Sequence, residues 1–251
     1  MQPDVVQFPN ETDAHRAQNR RRREMQTIGI IGAMEKEIAL IRANLKNLQE
    51  EVVAGGTYLS GQLGKQQVVL TCSGIGKVNA AISAQILCGR YRVDALLNTG
   101  IAGNLADDLG LGDVVVAEQV LYHDFDPSIF AQCHPYTPVL KADGALVEQI
   151  CRCLDEIGGV RYKRGVVATG DQFVSDSAVK ADIIARTGAD CAEMEGAAVG
   201  HTAVKNGVPF GVIRLLSDTA DDEAESIYED FADRAAELSA ELLVRVIQEM
   251  A

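Results

Sequence analysis

The chain has no tryptophan, and its 6 tyrosines and 6 phenylalanines leave aromatics at 5% of 251 residues. Its core must therefore be built from aliphatic and small side chains. Basic residues are scarce: 23 Lys and Arg stand against 36 Asp and Glu, a net charge of −13. Binding to a phosphate backbone needs clustered cations, so nucleic acid is excluded as a partner. No apolar run approaches the ~18–20 residues of a membrane span, so no membrane partner is expected. The basic cluster Arg20 to Arg23 is not followed by an apolar core and cleavage site, so it does not read as a secretory signal. The six cysteines (72, 88, 133, 151, 153 and 191) form no CxxC pair. All six are expected to be reduced, in a cytoplasmic protein.

Several catalytic motifs are also missing. Gly29 and Gly32 do not complete a GxGxxG fingerprint, because Glu35 stands where the third glycine would be. Ser73-Gly74-Ile75-Gly76-Lys77 lacks the spacing of a phosphate loop and its following Ser or Thr. There is no GxSxG nucleophile elbow. Tyr122-His123-Asp124 supplies one histidine and one carboxylate, too few for a metal site. No metal and no cofactor is therefore expected.

What is present is an alternation of apolar strands and amphipathic helices. Residues 1–24 are polar and read as a disordered extension, leaving 25–251 as a single domain. The pattern predicts a strand over Thr27–Gly32, a helix over Met34–Leu48, and a hairpin of Tyr58–Leu63 with Gln67–Thr71. It then predicts a helix over Gly76–Leu87 with Val78, Ile82 and Ile86 on one stripe, a strand over Val93–Asn98, a Gly-rich loop, and a strand over Asp113–Ala117. Asp143 reads as the N-cap of a helix presenting Leu146, Ile150, Leu154 and Ile157. A strand over Gly165–Ala168, a helix over Ser177–Arg186, a short strand ending near Glu193 and a helix from Gly196 follow. A strand over Pro209–Leu216 and a long C-terminal helix complete the chain. Together these give an α/β class, a three-layer α/β/α sandwich with a mixed central sheet.

Ligands of open α/β sheets bind at the carboxyl ends of strands. Those ends carry Glu35 and Glu37; Asn98 to Gly103; Thr169 to Phe173; Glu193-Met194-Glu195; and Arg214 with Ser217-Asp218. Three or more carboxylates, one arginine, one exposed aromatic and a floor of small residues suit acid/base chemistry on an uncharged or cationic organic ligand. Each residue also has a plainer reading. Glu193 and Glu195 could cap a helix, Asp218 could cap the next one, and Glu37 could be solvated. Met194 and Phe173 could be core, and Arg214 a structural ion-pair partner.

In order, Gly29 to Glu37, Ser73 to Val78, Asn98-Thr99-Gly100, Tyr122-His123-Asp124, Gly170 to Phe173, Glu193-Met194-Glu195 and Arg214 to Asp218 resemble the 5′-methylthioadenosine/S-adenosylhomocysteine nucleosidases of the purine nucleoside phosphorylase superfamily. The resemblance runs from Gln26 to Met250 and implies a nucleoside phosphorylase-like fold. It also implies hydrolysis of the N-glycosidic bond of a 5′-thio-substituted adenosine, with release of adenine. On that resemblance Asp218 is the general acid at adenine N7 and Ser217 orients it. Glu37 activates water with help from Arg214. Glu195 grips the ribose hydroxyls, Met194 packs on the sugar, and Glu193 supports. Phe173 stacks on adenine while the Val174 backbone reads its edge, over a floor of Ile101, Ala102 and Gly103. A homodimer is implied, with Tyr122 to Tyr136 closing the partner's pocket.

The superfamily contains phosphorylases as well. Asn98 stands where a phosphorylase would present arginine, and Glu37 where a cation would serve, so water is the expected nucleophile. Ile101 replaces a serine usual in the family, which removes a hydroxyl near that water. The alternatives are a nucleosidase for another 5′-modified adenosine such as aminodeoxyfutalosine, a purine phosphorylase, or an inactive nucleoside-binding protein.

Overall fold

A computed structural model describes residues 27–250 of the chain. The expectation for residues 1–24 lies outside the described residues. The first strand, β1 (Thr27–Gly32), is buried along nearly its whole length, as the run Ile28-Gly29-Ile30-Ile31 requires. Helix α1 (Glu35–Asn44) follows, then the antiparallel β2 (Lys46–Val53), β3 (Gly56–Leu63) and β4 (Gln66–Cys72). Next come α2 (Lys77–Ile86), β5 (Ala95–Asn104), β6 (Val114–Tyr122), a one-turn α3 (Pro127–Phe130) and β7 (Val139–Lys141). The chain continues through α4 (Gly144–Ile157), β8 (Tyr162–Thr169), α5 (Ser177–Thr187), β9 (Cys191–Glu193) and α6 (Gly196–Asn206). It ends with β10 (Phe210–Asp218) and α7 (Ala224–Glu249).

The sheet is mixed and partly closed. β5 pairs in parallel with β1 and β10, and antiparallel with β9; β6 joins β10 to β8, and β8 returns to β9. β5, β10, β6, β8 and β9 therefore form a closed circuit, while β1, β4, β3 and β2 extend from β5 as an arm. Helices α1, α4 and α7 cover one face over a core of Ile28, Ile41, Leu97, Ile150 and Val246. Helices α2 and α6 cover the other over Ile31, Ala84, Leu96, Val199 and Phe210. This is the expected three-layer arrangement, with the sheet closed further than an open sandwich.

Three expectations are corrected. The first helix ends at Asn44, and Lys46–Val53 pairs with β3 as an edge strand that its polar pattern hid. The Gly-rich stretch after Asn98 is no loop: β5 continues to Asn104, every residue buried, because β10 runs alongside it. On α2 the expected core stripe faces outward. Val78 is 69% and Ile82 48% exposed, and the helix packs instead on Ala80, Ser83 and Ala84. Small residues allow the close approach of α2 to α6, so the larger apolar side chains lie on the other side. Asp143 does cap α4, accepting hydrogen bonds from the Ala145 and Leu146 amides.

Candidate active site

A cavity of about 460 Å³ opens where β1, β5, β8, β9 and β10 end. Its wall carries Glu37, Ile101, Ala102, Gly103, Phe173, Val174, Glu193, Met194, Glu195, Ser217 and Asp218. Eleven of the twelve residues expected at a site are thus brought together. Arg214 is the exception: it is 1% exposed and lies behind the wall.

Asp218 ends β10 after a bulge between Leu216 and Asp218, opposite Gly103 on β5. A bulge re-aims the side chains that follow it, which turns Ser217 and Asp218 toward the cavity. Ser217 Oγ donates to Asp218 Oδ2 at 2.8 Å, and the Ala220 amide donates to Oδ1 at 2.9 Å. Asp218 does not cap α7, which begins only at Ala224. Burial raises its pKa above the ordinary carboxylate value, against the lowering effect of these two donors.

Glu37 is 3% exposed, whereas its neighbour Glu35 faces solvent. Its Oε2 accepts from the Ala33 and Met34 amides at 2.8 and 2.9 Å, and Oε1 from the Ile101 amide at 3.1 Å. Glu37 thereby caps its own helix and binds it to β5. Burial raises its pKa, and Arg214 with the three amides opposes that rise. A Cβ at Gly100 would stand 2.5 Å from Glu37 Oε1, so a side chain there would press on the Glu37 carboxylate.

The two glutamates of the triplet separate. Glu193 Oε2 accepts from the amides of Glu195 (3.0 Å) and Gly196 (2.7 Å) and from Arg214 Nε (3.2 Å); Thr169 Oγ1 donates to Oε1. Its carboxylate caps α6 and pairs with a guanidinium that also donates to Asn98 Oδ1 at 2.5 Å. Glu195 accepts from the Gly76 amide at 2.8 Å, and no other hydrogen bond to its carboxylate is made among the described residues. Burial first, then repulsion by Glu193, raises its pKa to about 8. Arg214 keeps a raised pKa despite complete burial, because Glu193, Glu195 and Glu37 surround it.

Phe173 is 43% exposed and meets Tyr228 edge-on, ring centroids 5.3 Å apart. Sequence reasoning missed Met34, Ile75, Glu225, Tyr228 and Glu229 as wall residues and gave Gln172 no role of its own. Tyr228 lies on α7, where periodicity cannot separate a core face from a cavity face. The wall holds six carboxylates (Glu37, Glu193, Glu195, Asp218, Glu225 and Glu229) and no basic side chain. Among the described residues no group of three or more His, Cys, Asp or Glu could hold a metal.

The sequence profile of the phosphorylase superfamily matches residues 27–248. A 5′-methylthioadenosine/S-adenosylhomocysteine nucleosidase from Geobacillus thermodenitrificans is 39% identical over 223 residues, 87% of this chain and 94% of that one. The chain belongs to this nucleosidase family of the phosphorylase superfamily. Nucleosidases of the family are N-glycosidic hydrolases, and the chain is an enzyme of that class. The nucleosidase of Neisseria meningitidis, solved with methylthio-immucillin-A, superposes with a TM-score of 0.85 at 33% identity, covering 89% of this chain and 99% of that one. A futalosine hydrolase of Helicobacter pylori has the same fold, with a TM-score of 0.84 at 31% identity over 90% of this chain and 98% of that one. The nucleoside phosphorylase-like fold is therefore shared with hydrolases of differing names.

Proposed function

We propose that this nucleosidase hydrolyses the N-glycosidic bond of 5′-methylthioadenosine and S-adenosylhomocysteine. The observation that carries the reading is one cavity holding three buried carboxylates in different surroundings, Asp218, Glu37 and Glu195, with no cation in its wall. Asp218, whose hold on a proton burial strengthens and which Ser217 orients, gives that proton to adenine N7 as the bond to the sugar breaks. The sugar becomes oxocarbenium-like, and the surrounding carboxylates favour that positive charge. Water adds to the anomeric carbon and gives up a proton to Glu37, whose raised pKa suits a general base. Water and nucleoside thus become adenine and the thioribose. Glu195 binds the ribose hydroxyls, Met194 packs on the sugar, and Phe173 and the Val174 backbone hold adenine over Ile101, Ala102 and Gly103. Arg214 acts from behind, neutralising Glu193 and biasing Glu37.

A phosphate nucleophile would meet a wall with no basic side chain to pair with it, which favours hydrolysis over phosphorolysis. The Helicobacter pylori neighbour supports a second reading, a nucleosidase for another 5′-modified adenosine. A phosphate-free panel of 5′-substituted adenosines tests both. Rapid adenine release from methylthioadenosine supports the first reading, and release only from other members supports the second. The enzyme is further proposed to work in the cytoplasm, which the thiols of Cys72, Cys133, Cys151, Cys153 and Cys191 fit. It is proposed to act as a homodimer. The exposed Val78 and Ile82 of α2 and Phe125 and Ile129 near α3, joined by the Lys77–Asp124 ion pair, form the face a second copy would cover.

A further inference from the structure

Three motifs of the sequence remain without a task in this reaction: Ser73 to Lys77, Tyr122 to Asp124, and Gly170-Asp171. The fold brings them into one circuit beside the cavity. Lys77 Nζ lies 2.6 Å from Asp124 Oδ2 and 3.5 Å from Asp171 Oδ2. The Lys77 amide donates to Asp171 Oδ1 at 2.8 Å, and the Asp171 amide donates to Asp124 Oδ2 at 2.8 Å. One ammonium, two carboxylates and two amides thus join the start of α2, the end of β6 and the turn after β8. The Lys77 and Asp124 side chains are 21% and 24% exposed, so water weakens this pairing less than it would a fully exposed one.

The circuit ends on Gly76. Its φ of +100° is open to glycine, and an added Cβ would come within 3.1 Å of Asp171 Oδ1. The Gly76 amide is the one group among the described residues that donates to Glu195, 2.8 Å from Oε1. The direction in which Glu195 presents its other oxygen therefore depends on where Lys77 and its two carboxylates hold the Gly76 peptide. We infer that Lys77 is a positioning residue for the ribose end of the cavity, acting through the Gly76 amide on Glu195. The inference rests on the proposed role of Glu195 at the ribose hydroxyls. It also gives the Gly-Lys pair a purpose unrelated to phosphate: its lysine faces two carboxylates.

The test is a cycle between Lys77→Met and the groups it is said to act through. On 5′-methylthioadenosine the variant should lose ~10-fold or more in kcat/KM, the scale expected when a substrate-orienting group is displaced. On the 2′,3′-dideoxy counterpart, or in a Glu195→Gln background, the same substitution should cost less than ~2-fold, because coupled residues are non-additive. Lys77→Arg should restore most of the loss, and the affinity for free adenine should be unchanged. Equal losses on both substrates and in both backgrounds, or no loss at all, would overturn the inference while leaving the reaction intact. A wild-type protein inactive on both substrates would overturn the reading of the reaction, and the inference with it.

Discussion

Asp218 and Glu193 are both buried carboxylates at the ends of strands that pair with β5, and their partners differ. Glu193 pairs with a guanidinium and accepts from two helix amides. Asp218 faces one hydroxyl and one amide, and burial prevails. Replacing Asp218 with Asn should therefore lower kcat by ~10²–10⁴-fold, the range for a lost general acid, with the thermal midpoint nearly unchanged; adenine release and calorimetry check both. Arg214→Met should instead unfold the site. It strands Glu193 without its partner, at a cost of ~3–5 kcal/mol in a denaturant titration. Glu195 gives a pH signature. Its folded pKa of about 8 lies above its ordinary value of 4.5, so its contribution to stability is full below 4.5 and is lost as pH rises through 8. Glu195→Gln should remove that loss, and thermal scans from pH 5 to 9 should show a shallower decline than wild type. The residue types of this site were legible in the sequence, because a carboxylate after an apolar strand is conspicuous. The division of labour within Glu193-Met194-Glu195 was not, because it depends on Thr169, Arg214 and Gly76, which are distant in the chain.

At the scale of elements, the site is made by the pairing of β5 with β10. Gly100 lies opposite Arg214 and under Glu37, and Gly103 lies opposite Asp218, where a Cβ would come within 2.7 Å of Oδ1. Gly100→Ala should displace the Glu37 carboxylate and cost ~10²-fold in kcat, the penalty of an ångström-scale misplacement, while circular dichroism stays native. Strands and helices with clear apolar periods were legible, including β1, β3, β4, α4 and α5. The errors share one cause: neighbours decide what periodicity cannot. The stretch after Asn98 reads as a loop because its glycines break the pattern, yet they are what lets β10 and α1 approach. The polar β2 was hidden because an edge strand needs no buried face. The Val78 and Ile82 stripe was read as core, although α2 packs by its small residues.

For the molecule as a whole, that outward stripe becomes a prediction. If a second copy covers it, Val78→Glu with Ile82→Glu should convert a species of twice the chain mass into a monomer in light scattering. A single mass for both proteins would remove this face from the assembly. The closed circuit of strands and the acidic cavity together make one central claim: water, not phosphate, takes the sugar from adenine. The most direct measurement incubates purified protein with 5′-methylthioadenosine in phosphate-free buffer and follows adenine by chromatography, with and without added phosphate. The account predicts stoichiometric adenine at the same rate in both, with thioribose as co-product. Adenine that appears only with phosphate, accompanied by a thioribose 1-phosphate, would contradict it.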